Sequence, residues 1–337
     1  MKAVGYTMLG ELENDAALVD FEAEKPIPTG HDLLVKVQAI SVNPVDYKIR
    51  KRRAPEGDQP NILGWDAVGE VVEAGDKTSA FKPGDMVWYA GAIDRPGTNA
   101  EYHLVDERIV GRKPASASAT EAAALPLTTL TAYEMLFDRL HVTDPVPGAA
   151  NAVLVIGGSG GVGSITIQLL RALTDLTVIA TASRAETRDW VMELGAHHVV
   201  DHSKPLPPQI EALGIGAPGS VFCTTHSEQY FDQVAELIAP QGRFGLIDDP
   251  EVFNIAPFKP KCVSTHWEFM FTRSLFQTHD IARQGEILNE VADLLDQGKI
   301  RSTATETMGR ITAETLRKAH LILASNTARG KMVLEGF

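Results

Sequence analysis

The chain has 337 residues, of which 44% are hydrophobic and 22% are charged, a composition typical of a globular protein with about two domains. Its 44 acidic and 31 basic residues give a net charge of −13, which argues against a nucleic-acid-binding surface because phosphate backbones attract basic proteins. No stretch approaches the roughly 20 apolar residues of a membrane span, and two cysteines cannot form a disulfide framework, so we expect a cytoplasmic protein that acts on a small-molecule substrate and binds neither nucleic acid nor membrane.

The first third of the chain consists of short β-like runs separated by turns. Residues 33–40 form a strongly apolar run, residues 69–75 alternate polar and apolar side chains, and a Pro-Gly pair at 83–84 leads into a further strand. This spacing predicts a partly open β-barrel. The basic run at 48–53 is expected to be a solvated loop, with attraction of an anionic cofactor as the alternative.

The middle of the chain changes to alternating helices and strands. Residues 119–140 are expected to be helical, capped by Thr120 and broken near Pro126. Apolar strands are predicted at 152–156, 176–181, 197–200, 219–223 and 242–247, and helices at 163–173, 185–194 and 228–238. This order is the βαβαβ pattern of a doubly wound parallel sheet. Closer to the C-terminus, residues 281–298 predict an amphipathic helix and residues 330–334 a strand.

A glycine-rich turn joins the first of these apolar strands to its helix. Because it follows a strand and opens a helix, its G-x-G-x-x-G pattern has the context of a dinucleotide site. We expect Gly158 to permit the tight turn, Gly160 to let the backbone approach a pyrophosphate, and Gly163 to let the helix pack closely. The residues predicted to bind the phosphates at the helix N-terminus are Gly158, Ser159, Gly160, Gly161, Val162 and Gly163. A glycine turn without a ligand is the alternative.

The end of the second strand distinguishes NAD from NADP. NAD sites place an acidic residue about 20 positions after the first glycine, but this strand ends Thr181-Ala182-Ser183-Arg184. Ser183 and Arg184 can instead donate hydrogen bonds to a 2′-phosphate, which predicts NADPH as the cofactor. The alternative is that Arg184 is a solvated helix residue. Glu186 is expected to lie inside the next helix and not to bind the ribose.

Several segments along the whole chain are characteristic of one family. They are Ser-Val-Asn-Pro-Val-Asp at 41–46, Leu-Gly-Trp-Asp at 63–66, Leu-Pro-Leu-Thr-Thr-Leu-Thr-Ala-Tyr at 125–133, the glycine loop, and Gly-Lys-Met-Val-Leu at 330–334. Through them the chain resembles the medium-chain dehydrogenase/reductase superfamily, in its zinc-independent, zeta-crystallin-like quinone oxidoreductase branch. The resemblance implies a GroES-like catalytic domain over 1–126 and 269–337 and a Rossmann NADP-binding domain over 127–268. It also implies a homodimer formed through a sixth strand near 262–266.

The same resemblance bears on the metal. Zinc alcohol dehydrogenases of this superfamily hold zinc with a Cys, a His and a later Cys, and the matching positions here are Asn43, Trp65 and Leu127. None of these is an ordinary zinc ligand, so we expect no metal. The pairs Cys223/His226 and Cys262/His266 have zinc-like spacing, but Cys223 is expected to end a buried strand, where small cysteines commonly pack.

The resemblance finally implies a set of site residues. The catalytic set is Asn43, Lys48, Trp65, Tyr89 and Thr131. Asn43 would bond the nicotinamide ribose or the substrate oxygen, Lys48 stands where relatives often place an aromatic residue, and Thr131 would lie beside the nicotinamide. Trp65 and Tyr89 would cover a flat substrate, with core packing as the alternative. Asp46 is expected to orient its loop, His202 to lie near the adenosine end, and Lys331 to bind cofactor.

Without a metal there is no Lewis acid to stabilise an alkoxide. A quinone or an α,β-unsaturated ketone is then the least demanding acceptor, because hydride adds to a conjugated position and the charge spreads onto a distant oxygen. The leading hypothesis is an NADPH-dependent quinone or enone reductase. The alternatives are a zinc-free aldehyde/ketone reductase and an NADPH-binding redox sensor or structural protein with negligible turnover.

Overall fold

The chain divides into two compact units, and one of them is assembled from both ends of the sequence. The computed structural model describes residues 1–10, 18–55, 57 and 59–337. The first unit comprises Met1–Leu130 with Phe271–Phe337, and the second comprises Thr131–Met270. Within the described ranges, no helix combines the length and the apolarity needed to cross a bilayer.

The first unit is built mainly of antiparallel strands. They are β1 (Lys2–Tyr6), β2 (Leu18–Glu22), β3 (Asp32–Ser41), β4 (Asn61–Ile62), β5 (Ala67–Ala74), β6 (Met86–Tyr89), β7 (Tyr102–Asp106), β8 (Gly111–Arg112), β15 (Ala304–Thr307) and β16 (Lys331–Glu335). The larger sheet has the order β15-β16-β3-β5-β6-β8, with β7 also paired to β3, and the smaller has the order β2-β1-β4. Along β3, Lys36 and Gln38 are exposed while Val37 and Ala39 are buried, which is the period-2 alternation of a sheet with one face in the core. The expected GroES-like fold is confirmed.

The helices of this unit include the predicted amphipathic one. They are α1 (Pro44–Arg52), α2 (Ala119–Ala123), α3 (Pro126–Tyr133), α8 (Thr272–Leu275), α9 (Arg283–Asp296) and α10 (Ala313–Ala324). The last residues of α3, from Thr131, belong to the second unit. In α9 the predicted apolar face is buried, with Val291 fully so. The break at Pro126 is confirmed, but the capping prediction was wrong. Ser118, not Thr120, caps α2, because Ser118 Oγ accepts the Glu121 N–H while the Glu121 carboxylate accepts the Ser118 N–H.

The second unit is a parallel sheet with helices between its strands. The strands are β9 (Ala150–Ile156), β10 (Thr177–Thr181), β11 (His198–Val200), β12 (Pro218–Cys223), β13 (Arg243–Leu246) and β14 (Ser264–Trp267), and the helices are α4 (Gly161–Leu173), α5 (Ala185–Glu193), α6 (Leu206–Ala212) and α7 (Phe231–Leu237). All the pairings are parallel, in the order β11-β10-β9-β12-β13-β14. This is the predicted Rossmann arrangement. A π-helical turn at Glu134–Arg139, which follows α3, was not predicted.

The strand order places the glycine loop at a distinctive point of the sheet. The chain runs outward from β9 to β10 and β11, then crosses back to place β12 on the other side of β9. In open α/β sheets, ligands bind at the carboxyl ends of the strands where the order reverses in this way. The residues that follow Ile156, at the end of β9, occupy that point.

Candidate active site

The glycine loop after β9 makes its tight turn one residue earlier than predicted. Gly157 has φ +84°, and a Cβ there would lie 2.3 Å from Thr224 Oγ1. Gly158, to which we assigned the turn, has no positive φ. A Cβ at Gly158 would instead meet Ala180 Cβ at 3.0 Å, so this position is limited by packing between neighbouring strands. The G-x-G-x-x-G pattern begins at Gly158 and therefore does not include Gly157, the residue that makes the turn.

Gly160 and Gly163 differ in what surrounds them. A Cβ at Gly163 would lie 2.2 Å from the Gly157 carbonyl oxygen, so this glycine allows the close approach of α4 to the loop that the sequence predicts. A Cβ at Gly160, the N-cap of α4, would meet only the Gly157 oxygen at 3.6 Å, an ordinary contact. No described atom of the protein therefore requires glycine at 160. The first N–H groups of α4 have no acceptor within the helix and are suited to bind an anion.

Ser183, Arg184 and His202 lie together at the ends of two neighbouring strands. Ser183 follows β10, His202 follows β11, and Ser183 Oγ lies 3.3 Å from His202 Nε2. Burial lowers the pKa of His202, and Arg184 lowers it further, against the effect of Asp201. The hydroxyl of Ser183, the imidazole of His202 and the guanidinium of Arg184 are all groups that can hydrogen-bond to a phosphate.

Glu186 lies inside α5 as predicted, but it has a contact that the sequence did not reveal. Arg184 is the N-cap of α5, and its Nε lies 3.4 Å from Glu186 Oε1. The side chains are 44% and 63% exposed. The pair is therefore accessible, and Glu186 partly neutralises the cation that we expect to recognise a 2′-phosphate.

A second cluster lies in the first unit, at the N-terminus of α1. The backbone N–H of Asn43 donates to Asp46 Oδ2 at 2.8 Å, and Asn43 Nδ2 donates to Asp66 Oδ2 at 2.7 Å. Burial raises the pKa of Asp46 to about 7, although the Asn43 N–H and the Lys331 ammonium lower it. Asp46 Oδ1 is buried and has no hydrogen-bond partner among the described residues. Asp46 thus orients its loop, as expected, through the backbone of Asn43.

The three positions that correspond to zinc ligands come together around Asp66. Asn43 donates to its Oδ2, the Leu127 backbone N–H donates to its Oδ1 at 2.8 Å, and Trp65 is its chain neighbour. The side chains at these positions are the amide of Asn43, the isobutyl group of Leu127 and the indole of Trp65. The indole N–H donates to the Ala92 carbonyl oxygen. This donor set does not fit a zinc ion.

The rival metal positions in the second unit do not form a ligand group. Cys223 ends β12, is buried, and directs Sγ at the Thr225 carbonyl oxygen, 3.2 Å away. Cys262 is exposed. Across the residues that the structure describes, no three His, Cys, Asp or Glu side chains are arranged to hold a metal ion.

Tyr89 and Trp65, expected to cover a flat substrate, are packed inside the first unit. Tyr89 has no exposed surface, and its ring stacks on His103 with centroids 5.5 Å apart. His103 Nε2 faces the Pro96 carbonyl oxygen at 2.9 Å, so Nε2 carries the hydrogen and the Tyr89 hydroxyl donates to Nδ1 at 3.1 Å. Trp65 is 2% exposed and packs edge-to-face on Phe271. Both rings therefore match the core-packing alternative.

The remaining predicted residues lie on three elements. Thr131 is buried on α3, Lys48 is partly exposed on α1, and Lys331 is the first residue of β16. Lys331, which we expected to bind cofactor, is 4% exposed, and its ammonium donates to Asn43 Oδ1 at 2.5 Å and to Asp66 Oδ2 at 3.2 Å. Sequence reasoning missed Asp66 as the carboxylate on which the hydrogen bonds of this cluster converge. The available signal was an acidic residue directly after Trp65 in a segment otherwise expected to be buried.

Comparisons with known proteins agree with this organisation. The model of the alcohol dehydrogenase GroES-like domain matches residues 29–117, and that of the zinc-binding dehydrogenase domain matches residues 161–280. A zinc-type alcohol dehydrogenase-like protein of Staphylococcus epidermidis is 38% identical over 338 residues, covering 99% of each chain. The 2-methylene-furan-3-one reductase of Solanum lycopersicum is 35% identical over 217 residues, which are 60% of this chain and 53% of that one. A crystal structure from Rhizobium etli CFN 42, provisionally named a zinc-dependent alcohol dehydrogenase, is 57% identical with a TM-score of 0.98, covering 100% of this chain and 98% of the other.

Proposed function

The chain belongs to the medium-chain dehydrogenase/reductase superfamily, and from this premise we propose that it is an NADPH-dependent reductase of the quinone oxidoreductase-like branch. It would transfer hydride to a quinone or another α,β-unsaturated carbonyl without a metal ion. It is an oxidoreductase of that superfamily. One observation carries the proposal: the three zinc-ligand positions converge on Asp66 and offer an amide, an indole and an isobutyl group. The name of the Staphylococcus relative refers to zinc, but the donors that this chain presents are unsuited to it.

The choice of a conjugated acceptor follows from this donor set. A saturated aldehyde places the full developing charge on one oxygen, which needs a Lewis acid or a strong proton donor beside it. A conjugated carbonyl spreads that charge over several atoms, so ordinary hydrogen-bond donors suffice. The substrate of the Solanum lycopersicum relative, a methylene-furanone, is a conjugated ketone of this kind. That relative supports the same acceptor class for this chain.

The second unit supplies the residues proposed to bind the cofactor. The N-terminus of α4, with Gly160 open to close approach, would hold the pyrophosphate. Ser183, Arg184 and His202 would hold the 2′-phosphate, which NADH lacks. Thr131 is proposed to lie beside the nicotinamide. Bound NADPH would supply the hydride, and one proton would be taken up from water to complete the reduction.

The hydrogen bonds of Asn43 narrow the role proposed for it. Its Nδ2 donates to Asp66 and, at 3.4 Å, to the Trp65 carbonyl oxygen, and its Oδ1 accepts from Lys331. Both amide hydrogens are used, and one lone pair on Oδ1 is left. Asn43 is therefore proposed to accept a hydrogen bond from a cofactor hydroxyl. The other role expected for Asn43, hydrogen bonding to a substrate oxygen, would need a free N–H group, and both N–H groups of its amide are already used.

The experiment that tests the proposed function is a substrate and cofactor panel on purified protein, with its zinc content measured before and after treatment with a chelator. Oxidation of NADPH and of NADH is followed by absorbance with a benzoquinone, a methylene ketone and a saturated aldehyde of similar size. We expect turnover with the two conjugated acceptors, little with the aldehyde, a preference for NADPH, and no change on adding chelator. About one zinc per chain, lost together with activity, would overturn the metal-free proposal. Binding of NADPH without turnover on any acceptor would favour the redox-sensor alternative.

A further inference from the structure

Lys331 is a buried lysine whose hydrogen bonds are all made within the protein. It is 4% exposed, and its ammonium donates to the Val42 carbonyl oxygen at 2.8 Å, to Asn43 Oδ1 at 2.5 Å and to Asp66 Oδ2 at 3.2 Å. An ammonium has three N–H donors, so the described contacts use all of them. Burial lowers the pKa of Lys331, while the carboxylates of Asp66 and Asp46 raise it. The lysine is thus occupied internally and has no hydrogen left for a ligand.

The partner of Lys331, Asp66, connects four elements of the first unit. Its Oδ1 accepts from the Leu127 backbone N–H near the start of α3, and its Oδ2 accepts from Ser41 Oγ at the end of β3. The same Oδ2 accepts from Asn43 Nδ2 at the cap of α1 and from Lys331 on β16. Asp66 is fully buried. One carboxylate therefore links segments of the chain that are remote in sequence.

These two charges determine how the Asn43 amide points. The Nδ2 side faces the Asp66 carboxylate, and the Oδ1 side faces the Lys331 ammonium. A half-turn of the amide would bring its NH2 against the ammonium and its oxygen against the carboxylate, two repulsive contacts in a buried place. With only one of the two charges, the preference for the observed orientation would be weaker. With both, the remaining lone pair of Asn43 has one fixed direction.

A purely structural role would not require these charges. Buried ion pairs are often replaced by apolar side chains of similar volume without loss of stability. Here the two charges lie on either side of the Asn43 amide and orient it. We propose that Lys331 is a positioning residue for the reaction, which acts by fixing the Asn43 amide, together with Asp66, in the orientation where it accepts a ligand hydroxyl.

The orientation of Asn43 is a property of the protein alone, whereas its effect on turnover rests on the proposed function. The first measurement is therefore independent of activity. Protein labelled with nitrogen-15 asparagine gives side-chain amide signals, and the Asn43 signal is assigned as the one absent from Asn43→Ala. In Lys331→Met we expect the exchange of the Asn43 amide hydrogens with solvent to accelerate by about tenfold or more, because the partner that holds the amide oxygen is lost.

The second measurement is kinetic and uses a double-mutant cycle. Lys331→Met, Asn43→Ala and the double variant are assayed with NADPH and a quinone, and kcat and KM are determined separately. If Lys331 acts through Asn43, the loss in kcat/KM for the double variant is close to that of Asn43→Ala alone, not the product of the two losses. Lys331→Arg, which keeps a buried cation donor, is expected to recover part of the kcat lost in Lys331→Met.

The matched control is Arg95→Met in the same unit. Arg95 makes a bidentate pair with Asp32 at 2.8 and 2.9 Å and has no contact with Asn43 among the described residues. It should leave Asn43 exchange and kcat/KM unchanged. Three results would overturn the inference. The first is an Asn43 amide exchange rate in folded Lys331→Met that equals that of wild type, and the second is a loss of kcat/KM in the double variant that equals the product of the two single losses. The third is the appearance of the same effects in Arg95→Met. If Lys331→Met does not fold, Lys331→Arg is compared with wild type by the same exchange measurement, and loss of Asn43 protection there would count against the inference. Absence of any wild-type turnover would refute the proposed function and leave the exchange result to decide the orientation.

Discussion

Arg184 is the residue on which the proposed cofactor preference depends. Arg184 is the N-cap of α5, its charge lowers the pKa of His202, and no acidic residue ends β10. Arg184→Ala should weaken NADPH binding by roughly tenfold to a hundredfold and leave NADH nearly unchanged, because a charge-assisted hydrogen bond contributes about 1.5–3 kcal/mol. Fluorescence titration with both cofactors measures this. Equal losses for the two cofactors would mean that Arg184 does not contact the phosphate.

Glu186→Gln is the counterpart of that variant. In the free protein the Glu186 carboxylate lies 3.4 Å from Arg184 Nε, where it competes with a phosphate and repels it. Removing its charge should strengthen NADPH binding a few-fold, an effect kept small because exposed ion pairs are weak and screened by salt. A decrease in NADPH affinity would indicate that Glu186 instead helps to hold the cofactor.

Asp46 should make stability depend on pH. Its folded-state pKa is about 7, above the ordinary value of 3.8, because the carboxyl is buried beside Asp66 with only Lys331 and the Asn43 N–H in compensation. A raised pKa means that its favourable contribution is complete below about pH 4 and is lost as the pH rises through 7. Asp46→Asn, which resembles the protonated form at every pH, should therefore be more stable than wild type by about 1.6 kcal/mol at pH 5, which is 1.2 units above the unfolded pKa, and by the full difference at pH 8.5. The difference is at most about 4 kcal/mol at 1.36 kcal/mol per pKa unit, measured by urea denaturation. An equal difference at both pH values would contradict this assignment.

Individual residues were predictable from sequence where a local pattern specifies them. Ser183 and Arg184 follow an apolar strand, and their position at its end depends on nothing remote. The contact between Lys331 and Asp66 joins residues 265 positions apart, and only the pairing of β16 with β3 brings them together. The same limit explains Tyr89: the sequence identifies an aromatic residue at a strand end, but its burial against His103 is a tertiary contact.

The loop between β9 and α4 offers a comparison at the level of one element. Gly163→Ala should destabilise the second unit by several kcal/mol or prevent its folding, because the new Cβ would lie 2.2 Å from a carbonyl oxygen. Gly160→Ala should fold normally, since its Cβ meets only an atom at 3.6 Å. It should nevertheless weaken NADPH binding if the backbone approaches the pyrophosphate there. Thermal denaturation and cofactor titration of the two variants separate these effects. Normal NADPH affinity in Gly160→Ala would place the pyrophosphate elsewhere.

Elements with a strong periodic pattern were predicted closely, and irregular ones were not. The apolar run that becomes β9 and the amphipathic face of α9 are visible in the sequence because burial selects their side chains. The π-helical turn at 134–139 has no such pattern. Met135, in this turn, packs against Gly245 of β13 so closely that a Cβ at Gly245 would lie 2.3 Å from Met135 Sδ. The shape of the turn therefore depends on a strand more than 100 residues away.

At the scale of the whole molecule, the free side of β14 is the expected dimer contact. β14 is the end strand of the parallel sheet, and its last residue Trp267 and the nearby Phe269 are about half exposed. The Ser264 N–H bonds inward to the Gly242 carbonyl oxygen, so by alternation the Thr265 N–H faces outward. A second copy could pair there about a two-fold axis. Light scattering should give a dimer for wild type and for the control Cys262→Ser, and a monomer for Thr265→Pro. A monomeric wild type at micromolar concentration would exclude this assembly.

The discontinuity of the first unit has a consequence for the order of events on the ribosome. Val333 pairs with Ser41, so the larger sheet receives β16 only after the whole of the second unit has been synthesised. The intervening 140 residues, 131–270, are contiguous and can complete their sheet while the N-terminal strands still wait for their last neighbour. A nascent chain arrested before residue 331 should therefore protect its middle segment from protease while Asn43 and Asp66 lack the ammonium that orients them. The cluster would thus be completed only after the middle segment has been made, when Lys331 itself emerges.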